Sequence, residues 1–512
     1  MKKHLFRILV FCVVTSAASA QNFIKDSLDS YIQREMQRWN LPGLAIAIVK
    51  DGKVIHMKGY GYTDIVRKSK VDEHTRFQIA SNSKAFTATS LALLEDYGKL
   101  KLDDKVKKYL PYFKMKYDYL TENITIRDVL THRIGFETFQ SDLLNWASTK
   151  SRKQLVENMA NAIPKYGFRE KYGYCNIGFV AAGEVIKAVT DTTWDEYLKA
   201  HYFIPLGMNS TDTYYDNFIN APNTSKAYTL LQGKLLEITP SRIDNLGPAA
   251  SITSNVDDLS KWIILQLNNG VFNGKQIIPE KVIQETRVSN TIVNGKSRKG
   301  QNFSTYGLGW FMEDAYGKKV VEHDGGANGF LSKTVLIPEE NLGYVILTNS
   351  DGQYFYDALS RQIINDLTKQ SYQNVSAMYY NGFMQNYNEE QKTIIKLKTE
   401  ADAYRAAPKD YKKIEGIYRN EVYGKISIEA FDAYAVVRFE FHPQYNGKIR
   451  FINIDRVMVE YADESTLGTK ELRIESKGVG SIMEIKVNDF IDQETYIFTK
   501  ISDDFFPFPV NK

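Results

Sequence analysis

Leu44-Ala-Ile-Ala-Ile-Val49 reads as a buried strand, and Asp51-Gly52 supplies the positive backbone angles of a tight hairpin before a second strand over Val54–Lys58. Strand signals return at Leu331–Ile337 and Tyr344–Thr348, on either side of the polar Pro338-Glu-Glu-Asn-Leu-Gly343 turn, and a helix follows over Tyr356–Leu367. Between the two pairs the apolar spacing is helical, over Thr75–Leu100, Ile126–Leu130 and Phe179–Val189, and a helix over Ser27–Trp39 precedes the first strand. A chain patterned in this way builds one sheet from its two ends and sets a helical region beside it.

Composition adds limits. The 512 residues are 43% hydrophobic and 25% charged, an ordinary globular balance that excludes collagen, coiled coil and intrinsic disorder. A net charge of +4 is too dilute for a nucleic-acid-binding surface, which needs clustered Lys and Arg. Three of those charges, Lys2, Lys3 and Arg7, flank the apolar run Ile8–Val14, which small residues ending in Ala18-Ser19-Ala20 follow. This three-part layout predicts a signal peptide over residues 1–20 and an exported, periplasmic or secreted protein whose mature chain carries about +1. Phe11 before Cys12 disfavours lipidation, no later stretch has transmembrane length, and Cys175 alone leaves the mature chain without an internal disulfide.

The pattern predicts a first domain over residues 21–368, then a linker with a short helix over 369–410. Thr368–Asn388 has no clear period, and Ile394, Leu397, Ala401 and Tyr404 mark a short helix that Pro408 stops. Short alternating strands at Lys425–Ala430, Ala433–Phe441, Lys448–Ile454, Glu471–Ser476 and Ser481–Val487 predict an all-β domain over residues 411–512. His442, near its middle, reads as an exposed turn residue.

Three short elements could carry chemistry. Ser81-Asn-Ser-Lys84 places a Ser and a Lys three apart, on one face of a helix, where an amine of lowered pKa can accept the hydroxyl proton. On local grounds a surface Ser beside a solvated Lys is the plainer account of the pair. In Tyr174-Cys175-Asn176, where a loop meets a helix, Tyr could accept a proton if an ammonium stabilised its phenolate, and Asn can hold an amide. A packed Tyr beside a capping Asn, with Cys175 a small buried side chain, is the plainer account. His323-Asp-Gly-Gly326 is either a glycine-rich turn with an incidental His or an edge strand that a substrate backbone can approach closely. No metal motif is visible, and His74 and His132 are scattered.

In this order the three elements resemble the serine β-lactamase and penicillin-binding protein superfamily, and within it the family of class C β-lactamases, D-alanyl-D-alanine carboxypeptidases and D-aminopeptidases. The likeness runs from about Leu41 to Asn349 and includes Leu41-Pro-Gly-Leu44, Gly59-Tyr-Gly61, Ile124–Gly135, Pro205-Leu-Gly-Met208, Gly247–Asp258 and Tyr306-Gly-Leu-Gly-Trp310. Tyr411–Asn420 and Tyr423–Ser427 resemble, more weakly, a small β-barrel appended to such hydrolases. The resemblance implies a bilobed α/β plus all-α fold with the active site between the lobes. It makes Ser81 the acylated nucleophile, with Lys84 and Tyr174 sharing acid and base work and the backbone N–H groups of Ser81 and Gly326 forming the oxyanion hole. Asn176 would position the substrate amide, and His323 with Gly325 would line the opposite wall.

His323-Asp-Gly stands where class C β-lactamases carry Lys-Thr-Gly, whose ammonium helps hold the antibiotic carboxylate; the His form implies a peptidase or esterase. The expectation is a cofactor-free serine hydrolase for small-molecule or peptide substrates, with peptidoglycan-derived peptides as the natural class and no nucleic acid partner. An acyltransferase using the same acyl-enzyme, a true β-lactamase and a non-catalytic sensor remain the alternatives, and the oligomeric state is open.

Overall fold

The computed structural model describes residues 23–231, 233–297, 300–462, 468–476, 483–488 and 495–504. The signal peptide expected over residues 1–20 lies outside them. Nine strands form the main sheet: β1 (Gly43–Lys50), β2 (Lys53–Asp64), β3 (Ser69–Lys70), β4 (Thr291–Asn294), β5 (Ser304–Tyr306), β6 (Phe311–Ala315), β7 (Lys318–Ala327), β8 (Phe330–Ile337) and β9 (Leu342–Thr348). Their order is β4-β5-β6-β7-β8-β9-β1-β2-β3, so β1 pairs with both β2 and β9 and the sheet is joined from the two ends of the domain, as the pattern predicts.

The period of two in β1 decides what covers each face. Leu44, Ile46 and Ile48 join Leu28, Ile32, Phe355 and Leu359 on one side, beneath α1 (Leu28–Arg38) and α5 (Phe355–Leu367). Ala45, Ala47 and Val49 face the other way, where their small size lets α4 (Val256–Leu267) lie close. Each large aliphatic side chain buried this way contributes roughly 1.5–3 kcal/mol. Beyond α4 stands the helical lobe, built around α2 (Ser83–Asp96), which is buried from Ser83 to Leu94, and α3 (Asn176–Thr190). Thr89 and Ser90 sit inside α2 because their hydroxyls bond back to the carbonyls of Ala85 and Phe86. The helical reading of Thr75–Leu100 is too long: Phe77–Gln78 is a short strand paired with Thr253–Ser254, and a 3₁₀ turn, Ala80–Asn82, precedes α2.

The short helix expected in the linker is longer than the pattern shows: α6 runs for 29 residues over Val375–Ala403. Only its ends are well covered. Trp39 packs on Tyr380 and Phe383 and donates to the Ser376 hydroxyl at 2.8 Å, while Leu397 and Ala401 reach Ile452 and Met458 of the C-terminal domain. The middle is polar and carries Gly382, so no apolar stripe runs through it to announce a helix. Pro408 does not stop this helix; it opens the next, Pro408–Ile414, where its fixed φ suits the first turn.

Eight strands then close a barrel: β10 (Gly416–Asn420), β11 (Gly424–Ala430), β12 (Ala435–Phe439), β13 (His442–Phe451), β14 (Arg456–Tyr461), β15 (Thr469–Ser476), β16 (Met483–Asn488) and β17 (Thr495–Ser502), with β10 paired to β17. The unforeseen β14 is buried on both faces, Val457 and Val459 inward and Met458 beneath α6, so its alternation is hidden. His442 is a correction. It begins β13 and is 3% exposed because a loop of the catalytic domain covers the hairpin tip.

Candidate active site

The 3₁₀ turn presents Ser81 under constraint. Ala80 takes φ +46°, a left-handed conformation that costs a residue with a Cβ about 1–3 kcal/mol. Neighbours hold it there: Ser83 Oγ donates to the Ala80 carbonyl at 2.7 Å, Ile79 N–H to Ile252 O at 3.0 Å, and Ser332 Oγ to Ile79 O at 2.7 Å. β7 lies directly against this turn at Gly325, where a Cβ would stand 2.1 Å from the Ile79 carbonyl oxygen. Gly326, next along, is exposed to the cleft and would place a Cβ no nearer than 3.5 Å to any atom. Gly325 is thus a packing requirement, and Gly326 forms the accessible wall.

Lys84 lies one helical turn beyond Ser81 and is fully buried. Its Nζ donates to Asn176 Oδ1 at 2.6 Å and Ala249 O at 2.9 Å, and stands 3.0 Å from Ser81 Oγ. Burial lowers its pKa to about 7, and the nearby Asp142 carboxylate partly offsets that effect. Two of the three partners are carbonyl oxygens, which only accept. A neutral amine therefore gives both N–H bonds to them and turns its lone pair to Ser81 Oγ, the one partner able to donate.

Tyr174 completes the group. Its hydroxyl faces Ser81, and burial holds its pKa well above the ordinary phenol value. Lys84 Nζ lies over the Tyr174 ring, 4.7 Å from its centroid. The loop before α3 is fastened by Phe139 N–H to Tyr174 O at 2.8 Å, Tyr174 N–H to Thr138 Oγ1 at 3.1 Å and Gly173 N–H to His132 O at 2.9 Å. Cys175 is a buried small side chain whose thiol burial pushes up to about 12.

Asn176 and His323 both reach the cleft, each with partners of its own. Asn176, expected against a substrate amide, has its oxygen taken by Lys84 and donates its amide to Asp142, so it first orients the lysine. His323 is 1% exposed; its Nδ1 lies 2.6 Å from the Asp324 carbonyl and its Nε2 3.0 Å from Tyr306 Oη. The carbonyl can only accept, so Nδ1 carries the proton and Nε2 accepts from Tyr306. Burial, with the Lys84 charge second, lowers the His323 pKa to about 3, so it lines the wall as a neutral ring and offers no cation to a carboxylate.

Ser81, Tyr174, Asn176, His323, Gly325 and Gly326 meet around one cleft of about 680 Å³, with Phe139, Trp146, Tyr172, Phe311 and Tyr356 supplying an aromatic wall. Asp142, Asp324 and Asp351 reach it, and no Lys or Arg lines it among the described residues. Asp142, Trp146 and Tyr306 were not legible as site residues in the sequence, nor was the proximity of His132, whose ring centroid lies 4.4 Å from that of Tyr174. Tyr306 falls in a resembling stretch that carried no role. Asp142 belongs to no motif and meets Asn176 across 34 residues, beyond any local signal.

Residues 28–368 match the Beta-lactamase family. The chain belongs to that family. Its beta-lactamase-family relatives include Protein flp of Staphylococcus aureus (strain MW2), 31% identical over 353 residues and covering 67% of each chain. The Unguisins hydrolase ungD' of Aspergillus campestris is 27% identical, covering 63% of this chain and 61% of its own. Among solved structures, the octameric penicillin-binding protein homologue of Pyrococcus abyssi covers 92% of this chain and 99% of its own at 20% identity and a TM-score of 0.59. A D-stereospecific amidohydrolase from Streptomyces covers 63% and 94% at 23% identity and 0.51. These neighbours share the β-lactamase and transpeptidase-like fold. Among the described residues no helix is long and apolar enough to cross a membrane and no group of His, Cys, Asp and Glu is arranged to hold a metal ion.

Proposed function

We propose that this member of the beta-lactamase family is an exported serine hydrolase that forms an acyl-enzyme on Ser81. The observation that carries this reading is the Lys84 amine, 3.0 Å from Ser81 Oγ with its other two partners both carbonyl oxygens. Lys84 Nζ takes the Ser81 proton as Oγ bonds to the substrate carbonyl carbon, and the resulting oxyanion faces the N–H groups of Ser81 and Gly326. The carbon–leaving-group bond then breaks, and the departing nitrogen or oxygen receives a proton through the neutral Tyr174 hydroxyl. Water repeats these steps in place of the leaving group, which frees the acid and restores Ser81. Tyr174 as a phenolate base fits less well, since the lysine lies over the ring and burial keeps the phenol protonated.

The wall indicates the substrate class. With a neutral His323, an aromatic lining and three carboxylates, the cleft suits an amide or ester whose reacting end carries no free carboxylate. Small or D-configured acyl substrates are the class we assign, and the name of the D-stereospecific amidohydrolase agrees with the D-configured part of it. Export rests on the pattern of residues 1–20.

A four-substrate panel tests the reading: a nitrophenyl ester, a D-aminoacyl amide, a D-Ala-D-Ala peptide and a chromogenic cephalosporin. The ester and amide are expected to turn over, with a fluorophosphonate adding mass at Ser81 and Ser81→Ala abolishing both. A cephalosporin preferred by orders of magnitude would overturn the account of His323. A wild-type protein that never gains mass would overturn the nucleophile.

A further inference from the structure

The segment between Phe139 and Lys150 touches two parts of the molecule at once. In its centre lies a single helical turn, Asp142–Asn145. Leu143 and Leu144, both 1% exposed, project away from the catalytic domain and belong to the barrel core, with Tyr418, Phe439 and Tyr445. Asp142, on the same turn, points the other way and accepts the Asn176 amide whose oxygen holds Lys84.

The barrel grips this segment from its β12–β13 hairpin. His442 Nε2–H donates to the Trp146 carbonyl at 3.1 Å, and the Leu143 carbonyl is its second backbone neighbour. Gln444 donates to Ala147 O at 2.9 Å, and Thr149 N–H donates to Phe441 O at 2.9 Å. Lys150 lies over the Phe441 ring. The barrel therefore supplies the apolar socket for the turn and, just past its C-terminal end, hydrogen bonds to the Trp146 and Ala147 carbonyls, while Asn245 of the first domain donates to the Asn145 carbonyl.

We propose that the β-barrel is a positioning element of the active site, holding Asp142 in place so that Asn176 orients the Lys84 amine toward Ser81. The inference rests on Lys84 acting as the base. Asp142, His442, Leu143 and Leu144 are positioning residues: none need touch substrate, and each acts through the turn. The barrel core and the catalytic lysine are thus joined by Leu143–Leu144, Asp142, Asn176 and Lys84 in series. Each link is a packed or hydrogen-bonded contact.

The test uses the full chain, a nitrophenyl ester and pH profiles of kcat/KM. His442→Ala is expected to lower kcat by about tenfold or more with KM little changed, and His442→Gln, which keeps an N–H donor, to restore most of it. Asp142→Asn keeps an acceptor for Asn176 but removes the negative charge that favours the Lys84 ammonium, so the acidic limb of the profile is expected to move to lower pH. Asp142→Ala loses both the acceptor and the charge and is expected to lose more kcat than Asp142→Asn. Should His442→Ala fail to fold by circular dichroism, Leu144→Val, which trims the apolar contact between the same turn and the barrel, takes its place. Wild-type kcat in the barrel-side variants, or an unmoved limb in Asp142→Asn, overturns the proposal. Failure of the wild-type chain to label at Ser81 instead strikes the hydrolase reading on which it stands.

Discussion

Replacing Lys84 by Met should abolish turnover and, separately, change how stability depends on pH. Lys84 is fully buried with a folded-state pKa of about 7, whereas an unfolded lysine titrates near 10.4. Below pH 7 both states carry the proton, and the penalty of burying an ammonium is fully present. Between the two values the folded protein has shed the proton that the unfolded chain still binds, so stability rises with pH by about 1.36 kcal/mol per unit. From pH 6 to pH 9 the wild-type protein should therefore gain roughly 2–3 kcal/mol relative to Lys84→Met, in which this titration is absent while the other groups remain. Urea unfolding of both proteins at the two pH values, followed in the catalytic domain, measures the difference. The same titration predicts that kcat/KM falls about tenfold per unit below pH 7, as the amine is protonated. Parallel stability curves for the two proteins, or a kcat/KM flat down to pH 5, would refute the claim that Lys84 is a buried amine of lowered pKa.

Gly325→Ala and Gly326→Ala should differ sharply although the positions are adjacent. The first drives a Cβ to 2.1 Å from the Ile79 carbonyl, against backbone that cannot retreat, and is expected to destabilise by about 1–3 kcal/mol or more and to block Ser81 labelling. The second meets nothing closer than 3.5 Å and should leave the urea midpoint close to wild type. Tyr306→Phe deletes the donor to His323 Nε2 and leaves a buried acceptor unpaired, at a cost of about 1–3 kcal/mol by urea unfolding.

Much of this molecule was legible from local pattern. Strands β1, β2, β8 and β9, adjacent in the sheet, show because each carries its own alternation and turn residues, and β1 even distributes large and small side chains to opposite faces within six residues. Ser81, Lys84, Tyr174 and His323 were legible because their chemistry is tied to short spacings and to a family likeness that spans the catalytic domain. α6 was not: its helical signal is weak in the middle, and contacts with Trp39 at one end and the barrel at the other stabilise it. His442 reads as a turn residue in sequence because the loop that covers it lies almost 300 residues earlier in the chain.

What the sequence by itself determined is the core strands of the sheet and the pairing of Ser81 with Lys84, since these follow from periodicity and from two residues one turn apart. Only the tertiary structure decided how those residues are tuned. The low pKa of Lys84 comes from complete burial, its lone-pair direction from the carbonyls of Asn176 and Ala249, and the neutrality of His323 from burial, with a tyrosine and a backbone oxygen fixing its tautomer. Asp142 reaches the lysine through Asn176 while the barrel grips its neighbours. Desolvation and hydrogen-bond direction depend on which distant groups are brought within about 3 Å, and chain order does not record that.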